Sequence, residues 1–168
     1  MAWIDQISEF AGKLAAWLFF LIAAMITFEV VARYVFLAPT IWAEEMSQFF
    51  QIWATYLAAA YVLKHKKLIT IDSVVSKFSP KIQWFFDLFA LLFIATFCAV
   101  AIFYGSKILI ESIQIGRATS TMLSVPKWMT ESAIPVGFGL LLLQTGVEII
   151  RHFTQPETAE PNNKESGA

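Results

Sequence analysis

The chain has 168 residues, of which 58% are hydrophobic, 15% aromatic and 15% charged, and its mean hydropathy is +0.64. This apolar content exceeds what a small soluble core can bury, so the composition predicts a polytopic membrane protein. The formal net charge of -1 argues against nucleic-acid binding, for which a concentrated basic face would be expected. The single cysteine, Cys98, excludes an intrachain disulfide.

Four apolar stretches are long enough to cross a ~30 Å hydrocarbon core as helices. We predict membrane-spanning helices at about 14–36, 41–63, 82–110 and 128–151, all within one membrane domain over residues 1–154. The expected fold class is therefore all-α, with four transmembrane helices and short interfacial helices. The polar, proline-containing segment 155–168 is predicted to be a disordered tail.

Short amphipathic segments lie beside the predicted spans. Residues 3–14 place apolar side chains at helical spacing opposite Asp5 and Glu9, and residues 72–79 show a shorter version of this pattern from Asp72 onward. Both segments predict helices that lie on the membrane surface. The acidic start of the first segment also argues against a cleavable signal peptide, so we expect that segment to be retained.

Charged residues at the end of the first span need an explanation, because charges at membrane depth are costly. Glu29 and Arg33 lie one helical turn apart and can pair. A structural ion pair that locks two helices is favoured over an ion-pathway role, since the pair is nearly neutral and lies near a span end. Pro39 cannot continue the helix and Thr40 can cap the next one, which predicts a tight hairpin.

The second predicted span contains a polar stripe. Its N-terminal carboxylates are favourable near the positive end of the helix dipole, and a solvated helix start explains them as well as a contact does. The stripe consists of Glu44, Gln48, Gln51 and Thr55, whose spacing of four, three and four residues places them on one helix face. We expect this face to contact protein, either its own bundle or another chain. The predicted subunit or binding-protein contact consists of Trp42, Glu44, Glu45, Gln48, Gln51 and Thr55.

The remaining motifs concern helix shape and chemistry. In the fourth predicted span, Pro135 removes one backbone hydrogen bond and Gly137 follows, which predicts a kink or a close helix approach. His65 lies among lysines at a helix end and is interpreted as an ordinary interfacial residue. No zinc-binding, nucleophile-elbow or phosphate-loop motif is present. We therefore predict that the protein is not an enzyme and has no metal site and no cofactor.

Basic residues beside the spans predict the orientation, because they are retained on the cytoplasmic side. One side has Lys13, Lys64, Lys66, Lys67, Lys77, Lys81 and Arg151, and the other has Arg33, Lys107, Arg117 and Lys127. We therefore expect both termini and the middle loop to be cytoplasmic.

Many of these residues belong to an ordered set of short motifs. The set is Glu29-Val-Val-Ala-Arg33-Tyr34-Val-Phe36, Pro39, Trp42-Ala-Glu44-Glu45, Trp53, Ile69-Thr-Ile71-Asp72, Ser124-Val-Pro126-Lys-Trp128 and Ile134-Pro135-Val-Gly137. Over residues 14 to 150 it resembles the small Q-type membrane subunit of tripartite ATP-independent periplasmic (TRAP) transporters. The resemblance implies a four-helix subunit of the bacterial or archaeal inner membrane. It also implies that the motif positions Glu29, Arg33, Trp42, Glu44, Glu45 and Asp72 serve architecture and subunit contacts.

The same resemblance implies partners and a role. A scaffold subunit of this kind forms a heterodimer with a large, sodium-coupled, elevator-type membrane subunit within membrane lipid. A periplasmic binding protein delivers the substrate, usually an organic acid. An alternative from another class is a self-assembling small channel or carrier, whose pore the polar stripe of the second helix would line.

Overall fold

Helices make up most of the chain that can be described. The computed structural model describes residues 2–65, 79–120 and 124–154, and these ranges contain five helices and no named strand. The helices are α1 (Ala2–Tyr34), α2 (Trp42–Lys64), α3 (Pro80–Ile115), α4 (Lys127–Glu131) and α5 (Ala133–Thr154). For the described residues, the predicted all-α class is confirmed.

The helix ends differ from those of the predicted spans. α1 joins the N-terminal amphipathic segment and the first apolar stretch in one continuous helix. The predicted span at 128–151 is divided into α4 and α5. The predicted interfacial helix at 72–79, apart from Ser79, lies outside the described residues, together with Asp72 and the predicted tail 155–168.

The four long helices alternate in direction. Lys64 Nζ at the end of α2 donates to Glu9 Oε1 near the start of α1 at 2.8 Å, so these two helices are antiparallel. Arg151 near the end of α5 pairs with Asp5 of α1 at the same end of the bundle, and α3 starts beside the end of α5. We name this the terminal end. The opposite, hairpin end contains the α1–α2 loop and the link between α3 and α4.

Three helices in the described residues are long and apolar enough to be candidate membrane spans, not the four that were predicted. They are Trp3–Tyr34, Ile82–Ile115 and Lys127–Thr154, the last of which combines α4 and α5. The prediction that 41–63 is a fourth apolar span is wrong by this measure. The physical reason is the polar stripe, because its carboxylates and carboxamides lower the hydropathy of α2.

The start of α2 also differs from the prediction. Its N-cap position is occupied by Ile41, which makes no side-chain cap hydrogen bond, and Thr40 instead donates to Glu29 of α1. The next long helix, α3, follows Ser79 and has a proline in its first turn, where the missing N–H has no helical partner to lose. It ends at Gly116, whose φ of 67° lies in the left-handed region that glycine adopts without strain.

Small residues occupy the contacts between helices. An added Cβ at Gly12 would lie 2.4 Å from the Tyr61 ring, and one at Gly137 would lie 2.4 Å from Tyr56 Cβ. Small residues let helix backbones approach closely, which is how helices associate where no hydrophobic drive acts between them. Many large apolar side chains project outward instead, as expected for helices surrounded by lipid. The buried alanines are Ala11, Ala15, Ala32, Ala43, Ala54, Ala60 and Ala133.

Candidate functional site

One carboxylate holds the α1–α2 hairpin together. Glu29 is 7% exposed, and its Oε1 accepts hydrogen bonds from Arg33 Nε at 3.0 Å and Nη2 at 2.7 Å. Its Oε2 accepts from the Thr40 backbone N–H at 2.9 Å and from the Thr40 hydroxyl. Both oxygens are therefore occupied. We name Glu29, Arg33 and Thr40 the hairpin clasp, because together they fix the end of the loop to α1.

The loop closed by the clasp presents apolar side chains outward. Leu37 has a φ of 52°, in the left-handed region that residues other than glycine seldom adopt, and it is 83% exposed. Tyr34 and Phe36 are exposed as well. The Ala38 N–H donates to the carbonyl of Ala32 at 3.0 Å, which continues the attachment to α1. The clasp thus holds a loop that contains a strained residue, with its apolar tip at the end of a candidate span.

The polar stripe of α2 faces away from the bundle. The side chains of Glu44, Gln48, Gln51 and Thr55 are all exposed. The Thr55 hydroxyl donates to the Gln51 backbone carbonyl at 2.8 Å and is satisfied within the helix. In the described part of the chain, neither carboxamide has a hydrogen-bond partner. Two glutamine side chains on the outer surface are therefore available to another molecule.

The remaining two residues of the predicted contact set point elsewhere. Both carboxylate oxygens of Glu45 are buried and have no hydrogen-bond partner among the described residues. Trp42 packs on Phe28 of α1, with ring centroids 6.0 Å apart. The structure therefore separates Glu45 from the outward stripe, and Trp42 joins the hairpin to α1.

The helical conformation is interrupted between α4 and α5, just ahead of Pro135. Ser132 separates the two helices. Pro135 has no N–H to donate to the carbonyl of Glu131, and its ring crowds that position, so the helix cannot continue unchanged. Gly137 follows and lies against Tyr56 of α2. The proline and the glycine thus act at different places, one at the interruption and one at a close helix contact.

A partly buried polar network at the terminal end is not among the features that the sequence predicts. The Ser8 hydroxyl of α1 donates to Gln144 Oε1 of α5 at 2.8 Å, and both side chains are buried. Gln144 Nε2 donates to Glu148 Oε1 at 3.1 Å and to Asp5 Oδ1 at 3.3 Å. Arg151 donates to both of these carboxylates. Hydrogen bonds therefore tie the start of α1 to the end of α5, and we name these groups, with the α2 residues described next, the terminal network.

The last residues of α2 join the same network. Lys64 Nζ donates to the Asp5 carbonyl at 3.1 Å as well as to Glu9, and His65 Nε2 lies 2.6 Å from the same Glu9 oxygen. His65, interpreted from the sequence as an ordinary interfacial residue, thus contacts α1. The sequence contains a signal for this network, because polar residues recur at helical spacing within two largely apolar stretches. These residues are Asp5, Ser8 and Glu9 in α1, and Gln144, Glu148 and Arg151 in α5.

These groups are suited to holding helices together and to contacting another protein. Within the described ranges, no group of three or more histidine, cysteine, aspartate or glutamate side chains is arranged to hold a metal ion. Cys98 is buried in α3. The clasp and the terminal network fasten helices at opposite ends, and the stripe leaves polar groups on the outer surface.

Comparison with known proteins relates this arrangement to transport. The family described as "Tripartite ATP-independent periplasmic transporters, DctQ component" matches residues 22–155, which is more than half of the chain. The chain belongs to this DctQ family. The resemblance to the small TRAP subunit is therefore confirmed, and family membership indicates transport rather than catalysis. Together with the apolar helices, it identifies a multi-pass protein of the inner membrane.

One curated relative is a much longer protein, and only part of it is similar to this chain. The chain is 28% identical over 158 residues to the isethionate TRAP transporter permease protein DctMQ of Oleidesulfovibrio alaskensis. The alignment covers 86% of this chain and 23% of the relative. The chain thus spans about a quarter of the length of the curated relative that it matches.

Proposed function

We propose that the chain is a scaffold subunit that supports the large membrane subunit of a TRAP transporter. The observation that supports this most directly is the DctMQ relative, in which the region similar to this chain is 23% of a single permease. The rest of that permease is long enough to contain a large membrane subunit. We infer that this chain supplies the Q part and forms a heterodimer with a separate large subunit.

The contacts at the two ends of the bundle suit a static frame. The hairpin clasp ties the start of α2 to α1, and the terminal network ties α1 to the ends of α2 and α5. Such contacts resist sliding of one helix against another. A subunit fastened in this way would enlarge the fixed part of an elevator-type transporter, against which the moving part carries substrate.

We further infer that α2 crosses the membrane together with the other long helices, with one of its faces directed outward from the bundle. The helices α1 and α3 are candidate spans that run in the same direction, so α2 returns the chain from the hairpin end to the terminal end. Its outward polar face then lies at membrane depth, where polar side chains need a protein neighbour. Lys64 and Arg151 at the terminal end favour a cytoplasmic position for that end and for both termini.

The hairpin end is then periplasmic and is where a substrate-binding protein would approach. In this arrangement the clasp presents the loop and the first turn of α2 toward that protein. We propose sodium-coupled uptake of an organic acid by the whole complex. The isethionate in the name of the relative is itself a small organic acid, which supports that substrate class.

Reconstitution into liposomes tests the scaffold proposal. The chain alone, the large TRAP subunit of the same organism alone, and the two together are supplied with the binding protein, a sodium gradient and labelled organic acids, beginning with isethionate. We expect uptake only when both membrane subunits are present. Uptake or ion conductance by this chain alone would overturn the proposal and favour the alternative, in which copies assemble a pore lined by the stripe.

A further inference from the structure

The outward face of α2 continues beyond the polar stripe. Ala58, Ala59 and Val62 follow Thr55 at helical spacing and are only partly buried. They line a groove with a cavity volume of ≈ 510 Å³ that is open to the surroundings of the bundle. Polar residues in the hairpin-end half and small or branched apolar residues in the other half thus form one surface, which we name the α2 face: Glu44, Gln48, Gln51, Thr55, Ala58, Ala59 and Val62.

Neighbouring helices form the sides of the groove. Phe19 of α1 lies on one side, and Phe93 and Phe97 of α3 lie on the other. Phe138 and Leu141 of α5 also line the groove, and the lining is almost entirely apolar. The small alanines of α2 thus lie among large aromatic side chains contributed by other helices. Such a depression can receive bulky side chains from a helix that lies along α2.

We propose that the α2 face is the docking site for one transmembrane helix of the large partner subunit. The proposal rests on the scaffold function above and specifies which surface of the chain makes the contact. From Glu44 to Val62 the face is ~27 Å long at 1.5 Å per residue, close to the ~30 Å thickness of a hydrocarbon core. One helix lying along α2 can therefore contact the face over the whole membrane depth.

A protein helix fits this face better than lipid does. Among the described residues, no hydrogen-bond partner exists for the carboxamides of Gln48 and Gln51, and acyl chains offer none. Serine, threonine, asparagine or histidine side chains on a neighbouring helix can supply such bonds. Ala58 and Ala59 allow that helix to approach α2 closely. The occupant should therefore be polar toward the hairpin end and bulky and apolar toward the terminal end.

Charge argues against a second copy of this chain as the occupant. Two copies in the same membrane orientation would meet about a two-fold axis along the membrane normal, and each residue near the axis would face its own counterpart. Glu44 would then face Glu44, and like charges repel most strongly where water is scarce. A lysine or arginine on the partner helix, at the level of Glu44, would complement the face instead.

The test combines a steric variant with a site-specific cross-link. Ala59→Leu fills the groove, and Ala99→Leu adds the same atoms to an exposed position of α3 that does not line the groove. We expect Ala59→Leu to lower recovery of the co-expressed large subunit about tenfold, the equivalent of ~1.4 kcal/mol, because overpacking a fitted contact costs this much or more. Recovery with Ala99→Leu should equal that of the natural chain.

A photoreactive diazirine residue at position 51 identifies the neighbour directly, even if Ala59→Leu does not fold. Cross-linking to a membrane helix of the large subunit, with none from a probe at position 99, supports the proposal. Cross-linking from position 51 only to lipid, to the binding protein or to a second copy overturns it, as does full recovery with Ala59→Leu. If the natural chain recovers no large subunit at all, the scaffold function itself fails, which is a distinct result.

Discussion

The close contact between α2 and α5 predicts opposite effects for the same substitution at two glycines of one helix. A Cβ at Gly137 would lie 2.4 Å from Tyr56 Cβ and 3.1 Å from the Tyr56 carbonyl oxygen, whereas a Cβ at Gly139 would meet nothing within 4 Å. Rotation of the tyrosine side chain cannot relieve the first clash, since Tyr56 Cβ is bonded to the backbone. Relief requires α2 and α5 to move apart.

The expected free energies follow from two terms. Replacing glycine by alanine inside a helix is worth ~1 kcal/mol in favour of folding. Overpacking a fitted contact costs ~1–3 kcal/mol, and the upper half of that range applies where the clash involves atoms fixed to the backbone. Gly139→Ala should therefore raise the free energy of unfolding by up to ~1 kcal/mol. Gly137→Ala should lower it by about 1–2 kcal/mol.

Unfolding in mixed micelles measures this difference. Far-UV circular dichroism follows helix loss as the fraction of sodium dodecyl sulfate rises, and the free energy of unfolding is compared among the natural chain and the two variants. Gly139→Ala is the matched control, because it makes the same chemical change in the same helix. Equal or greater stability of Gly137→Ala relative to Gly139→Ala would refute the close α2–α5 approach.

Two further predictions concern the ends of the bundle. Gln144→Met should destabilise the chain by about 1–3 kcal/mol, because Gln144 loses its hydrogen bonds and the Ser8 hydroxyl is left buried without a partner. In a double-mutant cycle with Ser8→Ala, the two effects should be non-additive by ~1 kcal/mol, and additive effects would contradict the bond. At the hairpin end, Glu29→Gln should speed limited proteolysis of the loop several-fold. Thr40→Val should do so less, since its backbone N–H still reaches Glu29; equal cleavage of both variants and the natural chain would exclude a clasp.

What the sequence predicts about the hairpin depends on contacts between residues close together in the chain. Glu29 and Arg33 are one turn apart on a helix, so a possible contact follows from spacing alone. The role of Thr40 does not follow in this way. A threonine ahead of a helix is a good cap by local rules, but Glu29 comes within reach once the hairpin closes, and Thr40 donates to that charged acceptor instead.

Spacing shows that α1 and α5 each have a polar face, but it cannot show which groups of the terminal network pair with one another. Ser8 and Gln144 are 136 residues apart, and a polar face on a helix looks the same whether it meets water or another polar helix. The sequence pattern accordingly predicts that Asp5 and Glu9 lie on the solvated side of an interfacial helix. The error in the number of apolar spans has a related origin, because length predicts a span for α2 while its polar stripe removes the hydropathy that would identify one.

The adjacent residues Glu44 and Glu45 lie in different surroundings, which separates an outward polar surface from the interior of the bundle. Successive residues of a helix differ in direction by about 100°, so one carboxylate points outward and the other is buried. An outward stripe can contact a large membrane subunit, and in the alternative function it can line a pore between several copies of the chain. Here the stripe is on the outside, while the clasp and the terminal network pair their polar groups within the chain. Because unpaired polar groups at membrane depth need a protein neighbour, we propose that a second membrane protein contacts the side of α2 that bears them.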